Sequence, residues 1–438
     1  MLQAFLKTLI RRGRLSVHIG RKAWSFGEAQ PPPGLDVAFR LKNGWTAWRI
    51  ASNPYLHFGE AYTDGDLVME RGSLWDLMTV IGVNLRHAAP RRRGLARLFD
   101  RLRPGISPRA ARRNVAHHYD LSEQLYRLFL DKDLQYSCAY FERPGASLEQ
   151  AQLAKKDHIA AKLALRPRMR VLDIGCGWGG LALHLAGRSG AEVTGLTLSG
   201  EQFEVARRRA AQAGEEENVA FELCDYRDMR GTFDRVVSVG MFEHVGLANY
   251  DTYFQTVADR LKDDGVALIH TIGRRGENGA RSQWLDTYIF PGGYLPSLSE
   301  IVRAAEKAGL WITDVESLRL HYAETLKAWR ERFLANRAEA AALYDERFCR
   351  MWEFYLAFCE LGFRYGDLMV FQVQLAKRVD ALPITRDYMM APQASSAVVD
   401  MKERAGKVLK GVPGGAAAAR QGETRRKERD GAPRVETR

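Results

Sequence analysis

The sequence predicts an α/β protein with a doubly wound, Rossmann-like sheet of seven strands, preceded by a small α+β domain. From about residue 170 onward, short apolar segments of strand length alternate with longer segments of helical period. A glycine-rich turn at residues 175–180 follows the first apolar segment, where the chain must bend sharply. Such an alternation is typical of a parallel sheet that helices cover on both faces.

The elements of this sheet follow from apolar runs and helix signals. The predicted strands cover residues 170–174, 192–197, 219–223, 233–239 and 265–272, with two more near 311–319 and 366–374. The predicted helices between them cover residues 179–188, 200–213 and 250–262. Ser199 and Ser297 each stand three residues before a glutamine or glutamate, a capping box that marks the start of a helix.

The regions outside the sheet are predicted from composition and pattern. Residues 1–90 are expected to form the small domain, with strands at 16–19, 37–41 and 46–50 and a helix at 74–85. Residues 91–113 are predicted to be a basic linker, residues 114–400 the doubly wound domain, and residues 401–438 a disordered basic tail.

The first twelve residues have the pattern of an amphipathic helix. The apolar positions fall on one helical face, and lysine and arginine fall on the other: Leu2, Phe5, Leu6, Leu9 and Ile10 are the apolar ones. A helix of this kind either lies in a membrane interface or packs on its own domain, and the sequence leaves both open.

Composition limits the class of protein. The 438 residues exceed one ordinary domain, and a hydrophobic content of 46% is enough for a core. Five cysteines without a CxxC pair argue for a reducing compartment, and against both a disulfide framework and a metal site. The sequence has neither a run of eighteen apolar residues nor a signal peptide, which favours a cytoplasmic protein.

The net charge of +12 is concentrated in three segments. Residues 1–22 carry six bases and no acid, residues 91–113 carry nine arginines and one acid, and residues 402–438 carry eleven bases and five acids. The rest of the chain is therefore acidic. Such segments suit an anionic surface, either phospholipid headgroups or nucleic acid.

Binding chemistry is expected outside the carboxyl ends of the strands, where ligands of an open parallel sheet bind. The turn after the first strand resembles the first motif of the class I methyltransferases that bind S-adenosylmethionine, and its residues are Asp173, Gly175, Cys176 and Gly177. The later strand ends add further candidate cofactor contacts, namely Thr197, Leu198, Gln202, Asp225 and Tyr226. Asp225 is well placed for an adenine amino group. The second strand ends without the acid that often binds ribose hydroxyls, so backbone groups and Gln202 are expected to contribute there.

Glu243 and His270 come from the ends of two adjacent predicted strands. A carboxylate and an imidazole are therefore expected to reach one small polar group. His270 and Ile272 alternate by two and share a face of their strand. A histidine in an apolar strand is also compatible with a structural role alone.

In combination these motifs resemble the cyclopropane-fatty-acyl-phospholipid synthases. The resemblance runs from about residue 15 to 392, and its matching stretches include residues 116–120, 136–140, 171–180, 197–202, 240–246, 270–272, 288–291 and 321–329. It implies transfer of a methylene group from S-adenosylmethionine to a cis double bond of an acyl chain in a membrane phospholipid. The implied base is a bound bicarbonate, which removes a proton from a carbocation so that the ring closes.

The resemblance also implies roles for particular residues. The implied bicarbonate cage consists of Cys138, Glu243, His270, Tyr322 and the backbone near Ile272. The added cofactor contacts are Tyr136 and Ser137. Cys359 stands where the family has a cysteine labelled as active-site, although no step of the reaction requires a thiolate. The implied location is the cytoplasm, at the inner face of the membrane, and a homodimer through residues 1–90 is left open.

Several alternatives stay open at this point. Departures from the family pattern at Phe141, Leu198 and residues 292–293 leave the product undecided between a ring, a methyl branch and a methylene group. A soluble substrate would leave the basic segments without a role. An inactive lipid-binding module would be expected to lack a loop glycine, Glu243 or His270, and all are present. A nucleic-acid partner is not expected, because the body is acidic and no recognised binding module occurs.

Overall fold

The computed structural model describes residues 2–85, 122–276 and 282–390. The predicted linker at 91–113, the start of the second domain at 114 and the tail at 401–438 lie outside these ranges, so the domain boundaries stay predictions. The described residues belong to a single compact unit that contains two β-sheets.

The smaller sheet lies near the N-terminus. Its strands are β1 (Arg14–Ile19), β2 (Lys22–Gly27), β3 (Asp36–Leu41) and β4 (Leu67–Arg71), in the order β2-β1-β3-β4. The helices around it are α1 (Leu2–Leu9), α2 (Gly44–Ser52), α3 (Pro54–Thr63) and α4 (Leu74–Leu85). Strand β1 pairs in parallel with β3 and antiparallel with β2. This arrangement confirms the small domain of strands and helices.

One predicted strand is wrong, because residues 46–50 belong to helix α2. Asn43 caps this helix, since its side-chain oxygen accepts a hydrogen bond from the Thr46 backbone N–H at 2.9 Å. Ala47 and Ile50 are buried at helical spacing. The tryptophan, threonine and isoleucine residues of this segment favour strands by propensity, but the cap and the burial of one helical face outweigh that preference.

Helix α1 packs on its own domain, which is one of the two alternatives that the sequence left open. Leu6 and Ile10 are buried in the hydrophobic core. Just after the helix, the Arg11 backbone N–H donates to the Asn84 side-chain oxygen at 2.8 Å. The apolar face of α1 is therefore largely used within the domain, while Phe5 stays 46% exposed.

The larger sheet has seven strands, as predicted. They are β5 (Arg170–Ile174), β6 (Glu192–Thr197), β7 (Val219–Leu223), β8 (Phe233–Val239), β9 (Leu261–Arg274), β10 (Trp311–Ser317) and β11 (Leu368–Ala376). Their order is β10-β11-β9-β8-β5-β6-β7. The five strands β5 to β9 run parallel, and β10 and β11 are antiparallel to their neighbours. The strand order reverses between β5 and β8, so the carboxyl ends of these two strands flank the point where ligands of such sheets bind.

Helices connect and cover these strands. They are α5 (Glu123–Phe129), α6 (Leu148–Lys162), α7 (Gly180–Ser189), α8 (Gly200–Ala213), α9 (Tyr250–Arg260), α10 (Gln283–Tyr288), α11 (Leu298–Lys307), α12 (His321–Ala335), α13 (Arg337–Leu343), α14 (Glu346–Arg364) and α15 (Asp387–Met390). The predicted start of α11 is confirmed, because Ser297 and Glu300 form both halves of a capping box. Within the described ranges, no helix is long and apolar enough to cross a bilayer.

The N-terminal helices pack against the segment that follows β9. A side chain at Gly59 of α3 would lie 2.6 Å from Trp284 of α10 and 2.8 Å from Phe354 of α14, so only glycine permits this contact. The Tyr288 hydroxyl of α10 donates to the Glu60 carboxylate at 2.9 Å. Helix α10, between β9 and β10, is thus held against the small domain.

Candidate active site

A cleft opens at the carboxyl ends of the parallel strands, at the predicted edge of the sheet. It has about 1210 Å³ of empty space, including its open mouth. All eleven residues that the sequence proposes as cofactor contacts line it: Tyr136, Ser137, Asp173, Gly175, Cys176, Gly177, Thr197, Leu198, Gln202, Asp225 and Tyr226. The structure therefore brings together residues from a loop before the sheet and from three strand ends.

The glycine-rich turn after β5 forms one wall of the cleft. Gly175 has φ of +86°, and a Cβ there would lie 2.8 Å from the Met241 side chain. The Gly175 and Cys176 backbone N–H groups both donate to the Leu196 carbonyl, at 3.0 and 2.9 Å, which ties the turn to β6. Gly177 also has a positive φ, and a Cβ there would meet open space. A ligand can therefore approach the backbone of this turn closely.

Asp173, at the end of β5, is a buried carboxylate facing the cleft. Both of its oxygens are without a hydrogen-bond partner among the described residues. Burial raises the pKa of Asp173 to about 7, and the nearby Lys155 ammonium opposes this rise. A carboxylate that is buried and unpaired is costly unless a ligand supplies a donor or a positive charge. The site therefore fits a ligand with an ammonium group.

The second and third strand ends supply further polar groups. The Thr197 hydroxyl donates to the Gln202 side-chain oxygen at 2.9 Å and accepts from the Ser199 backbone N–H at 3.1 Å. Asp225 forms a bidentate ion pair with Arg227, with nitrogen–oxygen distances of 2.8 and 2.6 Å. The sequence did not indicate this pair. A ligand amino group would have to share the Asp225 oxygens with Arg227.

Lys155 is a residue that the sequence analysis missed. It lies on α6, is fully buried, and donates to the Gln135 side-chain oxygen at 2.7 Å and to the Ser137 hydroxyl at 2.8 Å. Burial lowers the pKa of Lys155 to about 8, although nearby acids such as Asp131 oppose the shift. Lys155 thus links helix α6 to the loop that lines the cleft. The signal for Lys155 in the sequence was the adjacent pair Lys155 and Lys156 on a helix face that is otherwise largely apolar.

Glu243 contacts the backbone of Ile272, one of the neighbours that the family resemblance implies for it. One Glu243 carboxylate oxygen accepts a hydrogen bond from the Ile272 backbone N–H at 2.5 Å. The other oxygen, Oε2, is buried and has no hydrogen-bond partner among the described residues. Burial raises the pKa of Glu243 to about 7. This carboxylate can accept a further hydrogen bond from a small polar group.

His270 lies two residues earlier on β9 and is buried. Its Nδ1 lies 3.1 Å from the Gln372 side-chain nitrogen on β11. Burial, followed by the nearby Lys155 and Lys162 charges, lowers the pKa of His270 well below its usual value. The imidazole is therefore neutral at physiological pH and can donate one hydrogen bond.

The remaining predicted cage residues are held around helix α12. Cys138 is buried, its thiol donates to the Ala139 carbonyl at 3.3 Å, and burial raises its pKa. The Ala139 backbone N–H donates to the Thr325 hydroxyl at 3.0 Å. Thr325 stands one helical turn after Tyr322, which is also buried. The segment with Cys138 is therefore fastened to the helix that carries Tyr322.

Cys359 packs at the edge of the hydrophobic core on α14. Burial raises the pKa of its thiol to about 12, so the thiolate is scarce at physiological pH. Its surroundings are those of a packing residue, and a catalytic role for Cys359 stays a prediction.

The fold and the cleft define a class I methyltransferase that uses S-adenosylmethionine. A family model described as mycolic acid cyclopropane synthetase matches residues 106–373. The chain belongs to this cyclopropane synthase family.

Individual relatives agree with this assignment. The chain is 41% identical over 347 residues to the cyclopropane-fatty-acyl-phospholipid synthase of Escherichia coli, covering 78% of this chain and 88% of that protein. It is 40% identical over 348 residues to the tuberculostearic acid methyltransferase UfaA1 of Mycobacterium tuberculosis, covering 76% of this chain and 81% of that protein. Among solved structures, mycolic acid cyclopropane synthase CmaA1 complexed with SAH and CTAB is 38% identical, with a TM-score of 0.58 over 60% of this chain and 97% of that one.

The raised pKa of Asp173 predicts how cofactor affinity depends on pH. Asp173 is proposed to pair with the cofactor's ammonium group, for which the carboxylate must be ionised. We therefore expect affinity for S-adenosylhomocysteine to rise between about pH 6 and pH 8, around the raised pKa. Asp173→Asn should remove this rise and weaken binding by about tenfold at the higher pH. Isothermal titration calorimetry at both pH values measures the effect.

The raised pKa of Asp173 also predicts that the stability of the ligand-free protein falls with rising pH, whereas cofactor affinity increases. Because the folded-state pKa of Asp173 lies above its usual value of 3.8, the ligand-free protein loses stability as pH rises from about 4 to 7. Asp173→Asn should therefore raise the melting temperature near about pH 8 and change it little near about pH 4. The exposed Asp263 provides the control Asp263→Asn. Equal affinities at the two pH values would contradict the assignment of Asp173.

Proposed function

We propose that this protein transfers a methylene group from S-adenosylmethionine to the cis double bond of an acyl chain in a membrane phospholipid, forming a cyclopropane ring. The observation that carries this proposal is the buried Glu243 carboxylate beside β9, where His270 and Ile272 lie, because its Oε2 has no hydrogen-bond partner among the residues that the structure describes. The similarity to cyclopropane synthases over most of the chain supports the reaction type.

The cleft residues are proposed to hold the cofactor, which supplies an electrophilic sulfonium methyl group. Asp173 would pair with its ammonium group, and the open backbone at Gly177 would let it approach the turn. Thr197 and Gln202 would serve the ribose in place of the missing acid. Asp225 would accept from the adenine amino group while still paired with Arg227. An alkene is a poor nucleophile, so these contacts matter because they fix the orientation of the methyl group.

Aromatic side chains near the cleft suit the positive charge of the reaction. Tyr136 lines the cleft, stacks on Trp329 with ring centroids 5.1 Å apart, and shares a 2.7 Å hydroxyl hydrogen bond with Tyr355. Phe290 packs edge-on against Tyr355 at 5.7 Å. Such faces stabilise cations and exclude the water that would capture a carbocation. Phe242, in contrast, is fully buried in the core.

The residues around β9 fit a bicarbonate ion as the base. Bicarbonate can donate its hydroxyl to a carboxylate, and the Glu243 Oε2 is a buried acceptor without a partner among the described residues. With the Gln372 amide donating to Nδ1, neutral His270 carries its proton on Nε2, where it can donate to an anion. Tyr322 and Cys138 would complete the cage. When bound, the ion would supply a weak base beside the reacting carbon.

A second product is supported by a specific observation. The chain is almost equally similar to a cyclopropane synthase and to a tuberculostearic acid methyltransferase, at 41% and 40% identity. Both reactions start with the same methyl transfer, and they differ in what becomes of the cation. A methyl-branched or methylene product without ring closure is therefore the alternative.

The proposed location is the cytoplasm, at the inner face of the membrane. All five cysteines are free thiols, which suits a reducing compartment. A phospholipid substrate requires contact with a bilayer surface.

Lipid mass spectrometry tests the proposed function directly. The chain is expressed in a host rich in cis-unsaturated phospholipids and supplied with methyl-labelled methionine. We expect labelled acyl chains heavier by one CH2 group, and derivatisation of the remaining double bonds separates a ring from a branch. A host expressing Glu243→Gln is the matched control. Folded protein that leaves the lipids unlabelled would refute the proposal.

A further inference from the structure

The N-terminal domain carries an apolar groove that lies outside the cofactor cleft. The groove lies between α1, α2 and one face of β1 and β2, and holds about 740 Å³ of empty space including its open side. Its walls include Leu6, Ile19, Trp24, Phe26 and Trp48. A surface of this composition on a folded domain marks an interaction site when it is continuous with exposed apolar groups.

Two exposed tryptophans extend the groove onto the surface. Trp45 and Trp48 of α2 are 62% and 51% exposed. Their rings stack with centroids 4.6 Å apart and an interplanar angle of 13°. Phe5 of α1 is a further exposed aromatic residue of this domain. Indole rings are apolar but carry one N–H donor. They are therefore enriched at boundaries between an apolar phase and water, such as the interface of a bilayer.

The charge of the surrounding segment is complementary to anionic lipid. Residues 2–27 contain six bases and no acid. Lys22 pairs directly with Ile19 across the β1–β2 hairpin, and side chains two apart on a strand share a face. Lys22 therefore lies on the same face as Trp24 and Phe26, at one end of the groove. A base at the rim of an apolar groove can pair with a phosphate while the groove contacts the acyl region.

We propose that this surface, the groove together with Trp45 and Trp48, docks the protein on the interface of an anionic phospholipid bilayer. This inference rests on the proposed function, because a phospholipid substrate is presented to the enzyme by a bilayer, and it assigns the surface that makes that contact. A second copy of the chain would also cover the indoles. The base at the rim of the groove, Lys22, is complementary to a lipid phosphate, and residues 2–27 offer no acid to the Lys22 of a second copy, which favours lipid as the occupant.

Vesicle sedimentation tests the proposal without requiring turnover. The full chain is mixed with vesicles of dioleoylphosphatidylglycerol and dioleoylphosphatidylcholine, at low and at high salt. Salt screens the basic segments, so the binding that remains at high salt reports the apolar contact. We expect the double variant Trp45→Ala/Trp48→Ala to bind at least about tenfold more weakly at high salt, given the area of two indoles. Lys22→Glu should weaken binding at low salt and leave binding to pure dioleoylphosphatidylcholine unchanged.

The matched control is Trp311→Ala, at an exposed tryptophan on strand β10 of the other sheet. This control should bind vesicles like the unmodified chain, and an unchanged melting temperature shows that each variant is folded. Equal vesicle binding by the double variant and the unmodified chain would overturn the proposal, as would failure of the unmodified chain to bind. A dimer that becomes a monomer in the double variant would assign the surface to self-association instead. Because sedimentation measures binding alone, these outcomes stand whether or not lipid methylation is detected.

Discussion

Replacing Glu243 by glutamine is expected to abolish most turnover and leave cofactor binding intact. Glutamine keeps the size of the side chain and an oxygen that can accept from the Ile272 backbone N–H. It removes the negative charge of the carboxylate, which would accept a hydrogen bond from the hydroxyl of the bound bicarbonate. We expect turnover on unsaturated phospholipid to fall by about 10²–10⁴-fold, the usual contribution of a positioned acid or base. Affinity for S-adenosylhomocysteine should not change, because Glu243 does not line the cofactor cleft.

Stability provides the control for this prediction. The pKa of Glu243 is raised to about 7, so its ionisation costs folding stability as pH rises from about 4.5 to 7. Glu243→Gln should therefore melt at a higher temperature than the unmodified protein near about pH 8. The variant Glu306→Gln, on the exposed face of α11, controls for the loss of one carboxylate. Turnover that stays within about tenfold, and that still depends on bicarbonate, would show that another residue holds the base.

Replacing Lys155 by methionine is expected to weaken cofactor binding, although Lys155 lies behind the cleft. The change removes the donors that Gln135 and Ser137 now use, so the loop that lines the cleft loses its link to α6. It also removes a positive charge that lowers the pKa of Asp173. We expect affinity for S-adenosylhomocysteine to fall by about 10–100-fold, as for other losses of buried hydrogen bonds.

The pH dependence separates this positioning role from simple damage. Without Lys155 the pKa of Asp173 should rise, so the increase of affinity with pH should move to higher pH. Loss of packing alone would lower the affinity but leave unchanged the pH at which the increase of affinity is half complete. Ser137→Ala removes one of the two acceptors and provides a milder variant should Lys155→Met fold poorly. Lys307→Met, at an exposed lysine, is the control. An unaltered affinity and midpoint in Lys155→Met would rule out the assigned role.

The order and length of the apolar runs were enough to predict the sheet and the position of the cleft. The strands β5 to β9 were predicted within a few residues, because each has a short apolar run bounded by glycine or a capping serine. In a parallel sheet the carboxyl ends of the strands share one edge, so the polar residues there must meet. The nine proposed cofactor contacts at the strand ends accordingly line the observed cleft, and so do Tyr136 and Ser137, which the family resemblance implied. These features depend on local pattern and on a topology that the pattern specifies.

Other features could not be predicted from local pattern, because they depend on how the folded chain packs. The edge strand β2 was missed because its residues are mostly exposed and lack an apolar run. Residues 46–50 form a helix because one face is buried and Asn43 caps it, although their residue types favour a strand. Lys155 on α6 reaches Ser137 on the preceding loop only after the chain has folded. Periodicity reports which face of an element is buried, but it does not say what that face meets, because the partner comes from elsewhere in the chain.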